Sequence, residues 1–137
     1  MRYSLFSYIA FINLLIFSSC NSNNLKDDSE IFLPQDTIAV YYYNLQAKGH
    51  FDEYIKAMHS CKETTPEYKR HIKRLLQQHY KEILQTKKGV HHVKVIRAET
   101  NKQNNMANVF LNVAYNDGTQ EEIIFPLVYV NEEWLIQ

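Results

Sequence analysis

Six histidines, two cysteines and ten tyrosines carry most of the chemistry open to this 137-residue chain. Acid–base catalysis needs an ionisable side chain, desolvated enough to reach a useful pKa and within hydrogen-bond reach of its proton. His91 and His92 are neighbours in an alternating stretch. Their side chains are therefore expected on opposite faces, where one metal could not take both. His71 and His79 lie on one helical stretch, about 80° out of alignment at 100° per residue. No histidine pair has the spacing of a two-histidine zinc helix. His79 falls on an apolar stripe and is expected to be a satisfied core histidine. Cys61 follows His59 by about 200° of helix, so no thiolate pair is expected and Cys61 reads as a small, partly buried residue.

The carboxylates are no better placed. Asn108, Asn112, His92 and Lys94 stand inside the strand stretches, but no acid does. Glu99, Glu121 and Glu122 sit near turns and are expected in solvent. Asp36 and Asp52 stand at helix starts, where capping explains them. No catalytic residue, metal site or cofactor is assigned on this basis. The tyrosines are more distinctive. Tyr41-Tyr42-Tyr43 turn by about 100° each along a helix, so the three cannot all face a core. At least one hydroxyl is expected at a pocket or at the surface.

Charge narrows the classes of partner. Fifteen Lys+Arg balance fifteen Asp+Glu, which argues against nucleic acid as a partner. Two cysteines make neither a disulfide framework nor a four-thiolate zinc site. The balance hides a segregation: Pro66 to Lys88 has a local net charge of +5, and Asn116 to Gln137 one of −5. A basic stretch of that kind either is a solvated helix face or touches anionic lipid or glycan.

These residues must be positioned by helices followed by strands. Ile38, Tyr41, Tyr42 and Leu45 follow helical spacing, with Asp36 or Thr37 available as a cap and Gly49 closing the helix. Phe51, Tyr54, Ile55 and Met58 give a second, short helix. The third is the clearest: Thr65 caps, Pro66 takes the first position, and Gly89 closes it. Its stripe is Tyr68, Ile72, Leu75, Leu76, His79 and Ile83. The period then changes to two. Val90 to Ala98 alternates, Glu99 to Asn105 reads as a turn, and Ala107, Val109, Leu111, Val113 and Tyr115 share one face of a second strand. Asn116-Asp117-Gly118 is a hairpin turn. Ile123, Phe125, Leu127 and Tyr129 share a face of the third strand, and Asn131-Glu132-Glu133 leads into Trp134-Leu135-Ile136. Pro126, which cannot donate to a ladder, is expected at an edge or a bulge. Helices first and antiparallel strands after give an α+β domain, three helices on one face of a curved sheet.

The beginning of the chain reads as an address. A positive start at Arg2 and an apolar stretch from Leu5 to Phe17 match a secretory signal. The stretch is too short to span a hydrocarbon core about 30 Å thick. Phe17-Ser18-Ser19-Cys20 resembles the lipobox of bacterial lipoproteins, with Phe17 where Leu is preferred. The resemblance implies cleavage after residue 19, acylation (palmitate among the acyl groups) at Cys20, and a tether over 20–33. The mature chain is then anchored in the cell envelope, at the outer membrane, facing the periplasm or the cell surface. Asn21 to Asn24 and the acidic patch that follows resemble the segment that sends some such lipoproteins to the surface.

A second resemblance covers residues 34 to 137. The order of elements, with Lys48-Gly49-His50-Phe51-Asp52 after the first helix and the turns at Asn116-Asp117-Gly118 and Asn131-Glu132-Glu133-Trp134, is similar to the nuclear transport factor two-like superfamily. More narrowly, it resembles small bacterial lipoproteins of unknown function with that cone-shaped fold. It departs in having Gly-His where Gly-Asp is usual, and in a short last strand, which implies a more open cone. Members hold a pocket between sheet and helices, and their sheets commonly pair. The pocket candidates implied here are Tyr41, Tyr42 and Tyr54 from the helices. Leu111, Phe125, Tyr129 and Trp134 join them from the strands. The expected function is a non-catalytic module that binds a small hydrophobic ligand, a glycan or an envelope protein, and that forms a homodimer through the sheet. The rival is an isomerase- or dehydratase-like enzyme using Tyr and His in place of a carboxylate.

Overall fold

The structure, a computed structural model, describes residues 34 to 137. The signal segment, Cys20 and the tether lie outside the described residues. Three helices, α1 (Gln35–Ala47), α2 (Phe51–Ala57) and α3 (Pro66–Lys87), come first, with a 3-10 turn at His59–Cys61 between the last two. Four strands follow, β1 (Val90–Asn101), β2 (Met106–Tyr115), β3 (Gln120–Val130) and β4 (Glu133–Ile136). They form one antiparallel meander in the order β1-β2-β3-β4. This is the α+β architecture that the change of period implies.

α1 is set one residue differently from its sequence reading. Pro34 precedes the helix with no side-chain cap, and Asp36 lies within the first turn, its Oδ1 accepting from the Thr37 N–H at 2.8 Å. An acid there still favours the helix, because it faces the positive end of the dipole. The buried side chains are Ala39, Tyr42, Tyr43 and Leu45, whereas Tyr41 is 56% exposed. Ala39, fully buried, is the small residue on which the helix approaches the sheet; spacing judged from large apolar residues alone put the seam too close to Tyr41.

α3 shows the same shift on a larger scale. Thr65 caps it by accepting from the Tyr68 N–H at 3.2 Å, and Pro66 stands at its first position. Yet none of its side chains is buried. Ile72, Leu76, Tyr80 and Ile83 are half-buried, with Tyr80 edge-on to Phe51 at 5.7 Å. Tyr68, Leu75 and His79 face outwards, so His79 is not a core histidine. The apolar stripe of α3 is wider than the narrow seam that the rest of the domain offers it.

The sheet buries one face. Ala107, Val109, Leu111 and Val113 of β2 and Leu127 of β3 are almost wholly inaccessible, and Phe125, Trp134 and Ile136 complete that layer under α1 and α2. β1 extends to Asn101, so the turn that follows is only Lys102 to Asn105. Two register shifts interrupt β1, one between Val90 and His92 and one between Val95 and Arg97. The first breaks the alternation at the two histidines, and their rings meet edge-on at 5.1 Å instead of pointing to opposite faces.

Pro126 sits in an interior strand, opposite Asn108 of β2. Its carbonyl accepts from the Gln137 N–H at 3.2 Å, so its backbone polar atoms point towards the β4 side. β4 ends at Ile136, opposite Leu127. The missing donor thus falls where the neighbouring strand has run out, a local edge within a central strand. Cys61 is buried, at 2% exposure.

Candidate functional site

α1 runs against β1 so that its C-terminal end lies by Val90 and its first residue by Thr100. These two ends of the fold differ in kind. At the first, Tyr43 from α1 and Tyr115 from the end of β2 meet below the sheet. The Tyr115 hydroxyl donates to Glu121 Oε1, and the Tyr43 hydroxyl is hydrogen-bonded to Tyr115. Lys87 closes the set, its Nζ 4.2 Å from the Tyr115 ring centre and 3.5 Å from Glu121 Oε2. The Asn116-Asp117-Gly118 turn places Glu121 there, and Glu121 faces Val113 in the ladder.

The electrostatics of this end follow from burial. Desolvation pushes the phenols of Tyr42 and Tyr43 upward. It raises that of Tyr54 to about 12, with Tyr43 adding to the effect. Tyr115 is pushed up by burial first and by its bond to Glu121 second. Phenols held this way stay neutral at physiological pH, and they donate and accept hydrogen bonds without serving as bases. The space left beside them is about 20 Å³, lined by Tyr43, Ala47, His79, Tyr80, Ile83 and Val90. That is room for about one water. Among the described residues, no three His, Cys, Asp or Glu side chains gather as a metal site.

The other end is open. A groove of about 460 Å³ lies between the first residue of α1, the end of β1 and the β3–β4 hairpin, lined by Gln35, Thr100, Asn101, Lys102, Asn105, Tyr129 and Trp134. Local structure fixes each wall. Asn131 and Glu132 both adopt positive φ, at 50° and 65°, as a two-residue hairpin of the tight mirror-image type requires. That turn puts Tyr129 opposite Trp134, with ring centres 5.1 Å apart. Asn105, also at positive φ, accepts from the Tyr129 N–H at 2.7 Å and ties the β1–β2 turn to the hairpin. Gln35 Nε2 donates to Thr100 Oγ1 at 2.8 Å and joins α1 to β1.

The TM-score to a solved structure decides what this arrangement is. The chain superimposes on the 2.00 Å crystal structure of a Campylobacter jejuni protein named "Putative NTF2-like transpeptidase" with a TM-score of 0.62, over 75% of this chain and 96% of that one, at 16% identity. The domain has the NTF2-like fold. NTF2 here is the nuclear transport factor two whose cone the order of elements resembles. No protein-family model and no curated protein sequence matches the chain. At that identity the likeness carries the fold alone.

Within this NTF2-like cone the pocket candidates separate. Leu111, Phe125 and Tyr54 are packed in the interior, Phe125 edge-on to Tyr43 at 6.3 Å. Tyr42 is buried and donates to the Trp134 carbonyl at 2.9 Å, which anchors β4 to α1. Tyr41 faces outwards. Only Tyr129 and Trp134 line the groove. Tyr43, Lys87 and Glu121 were not singled out as a group by their spacing. The inward phase of Tyr115, read with the hairpin register, was the one signal that could have brought them together. Nothing in the spacing marks Gln35, Thr100 or Asn105 as neighbours of the aromatic pair.

Proposed function

We propose that the protein is a lipid-anchored component of a bacterial cell envelope whose NTF2-like domain binds rather than catalyses, with Cys20 as the acylated anchor and residues 20 to 33 as the tether. The observation that carries the binding reading is the contrast between the two ends of the cone. The interior next to the polar cluster holds space for about one water, while the aromatic groove is open at about 460 Å³. An isomerase- or dehydratase-like reaction needs a substrate in the interior and a group able to take its proton. The phenols there are shifted the wrong way for that role. Acyl transfer of the kind named for the Campylobacter jejuni protein needs an activated nucleophile. Cys61, the free thiol among the described residues, is buried away from the groove.

The occupants that suit an aromatic recess rimmed by amides and a hydroxyl are a small hydrophobic ligand, a glycan or a peptide. The sheet offers a second surface on its outward face, where Phe110 lies under Arg97 (3.5 Å from guanidinium to ring centre) and Ile124, opposite Phe110, is 57% exposed. This face is the one we assign to self-association. No helix among the described residues is long and apolar enough to cross a membrane, so anchoring through Cys20 is tested by substitution. Cys20→Ser is expected to move the protein from the membrane fraction to the soluble one. The released protein is expected to sediment as a dimer that Ile124→Asp converts to a monomer. A variant that still fractionates with membranes would remove the anchor from this reading.

A further inference from the structure

The first register shift in β1 brings His91 and His92 together where a regular strand would part them. Val90 faces Tyr115 and His92 faces Ala114, so His91 is the extra residue of a bulge. That bulge is held from both sides. Ala114 and Tyr115 are buried, and just before Val90 the Gly89 carbonyl accepts from the Asn116 N–H at 3.0 Å. Asn116 Nδ2 also donates to the Lys88 carbonyl at 2.9 Å. The two imidazoles therefore project from a fixed backbone. Neither ring belongs to the core, since His91 is exposed and His92 half-buried. Core packing does not explain their contact.

Imidazole is the commonest protein ligand for metal ions, and it suits borderline divalent cations. The lone pair of a ligating nitrogen lies in its ring plane, so two planes must intersect for both to reach one ion. These planes are tilted by 70°. The separation agrees as well. A zinc–nitrogen bond of about 2.0–2.1 Å, with roughly 1.1 Å from nitrogen to ring centre, sets the ring centres about 5.2 Å apart at a tetrahedral angle. A square-planar angle would bring them to about 4.5 Å. The observed distance is 5.1 Å. Lys94, the next residue on the His92 face, is exposed, so its ammonium is solvated.

We propose that His91 and His92 form a two-imidazole site for a zinc ion, with water in the two remaining tetrahedral positions. Two protein ligands make an accessible, exchangeable site, unlike the closed four-ligand sites that hold a fold together. The site is separate from the aromatic groove, and its failure would leave the reading of that groove untouched.

The test titrates zinc alone, by calorimetry, into the untagged mature-length chain with Cys20→Ser, above the ordinary imidazole pKa of about 6.5. One ion per chain is expected, and His91→Asn and His92→Asn should each weaken its binding by about tenfold or more. His59→Asn and His71→Asn, at exposed positions elsewhere, should bind zinc as the parent chain does. Nitrogen–proton correlation spectra of the imidazoles supply a second readout on the parent chain itself. Of the six histidines, His91 and His92 should shift on zinc addition and the other four stay in place. These spectra decide the matter even where a variant fails to fold. Zinc affinity unchanged in His91→Asn or His92→Asn, or ring signals that move at other histidines instead, would overturn the proposal.

Discussion

The two ends of the cone use the same kind of residue for opposite purposes. At one, Tyr43 and Tyr115 are buried, joined to each other and to Glu121, and roofed by Lys87. At the other, Tyr129 and Trp134 meet at a tilt of 49° at the wall of an open groove. Every hydroxyl of the first pair has a protein partner that would be left orphaned by the loss of its neighbour. The second pair packs ring against ring, Trp134 buried and Tyr129 half-buried, beside open space that the first end lacks. A tyrosine in an NTF2-like cone therefore carries no functional meaning by itself. What matters is whether space is left beside it.

The largest effect should come from substituting the two ends in parallel. Tyr115→Ala removes a buried ring and strands the Tyr43 hydroxyl, with an expected loss of about 3–5 kcal/mol in urea unfolding. Tyr129→Ala, at a half-buried position, should cost about 1 kcal/mol while abolishing recognition in the groove. Similar stability losses for both, or binding that survives in Tyr129→Ala, would erase the distinction between the ends.

A smaller effect is expected in alkali. Tyr42, Tyr43, Tyr54 and Tyr115 all titrate higher in the folded chain than the ordinary phenol value of 10. The folded state thus binds these protons more tightly than the unfolded state does. Its advantage is full below about pH 10 and is lost as pH rises towards about 12, where Tyr54 ionises. Phenolate absorbance should show these four ionising late and together with loss of the fold. Ionisation of these four in an early step, with the fold intact, would contradict the burial of the cluster.

The fold was largely legible in the sequence because period and punctuation act locally. Thr65-Pro66 and Gly89 bracket α3 as caps do, and the inward phase of β2 is read directly from Ala107 to Tyr115. What was not legible depended on small residues and on register. Ala39, too small to mark a stripe, sets the rotation of α1 and sends Tyr41 outwards. The register shift after Val90 undoes an alternation argument about His91 and His92 that is sound for a regular strand. Pro126 is tolerated in the middle of the sheet because β4 stops opposite Leu127, a fact about a neighbour rather than about Pro126. The site was half legible for the same reason. Tyr129 and Trp134 could be named as aromatics facing inwards, but Gln35 and Thr100 meet only because α1 runs back along β1.

The central claim is that recognition takes place at the open end while the interior of the cone stays closed. It is tested most directly by mapping amide chemical-shift changes in the Cys20→Ser chain as a short apolar peptide is added. The account predicts changes concentrated at Gln35, Thr100, Asn101, Asn105, Tyr129 and the Trp134 indole, with Tyr43, Val90 and Tyr115 unmoved. Changes centred on Tyr43 and Tyr115 would place the ligand inside the cone and contradict it.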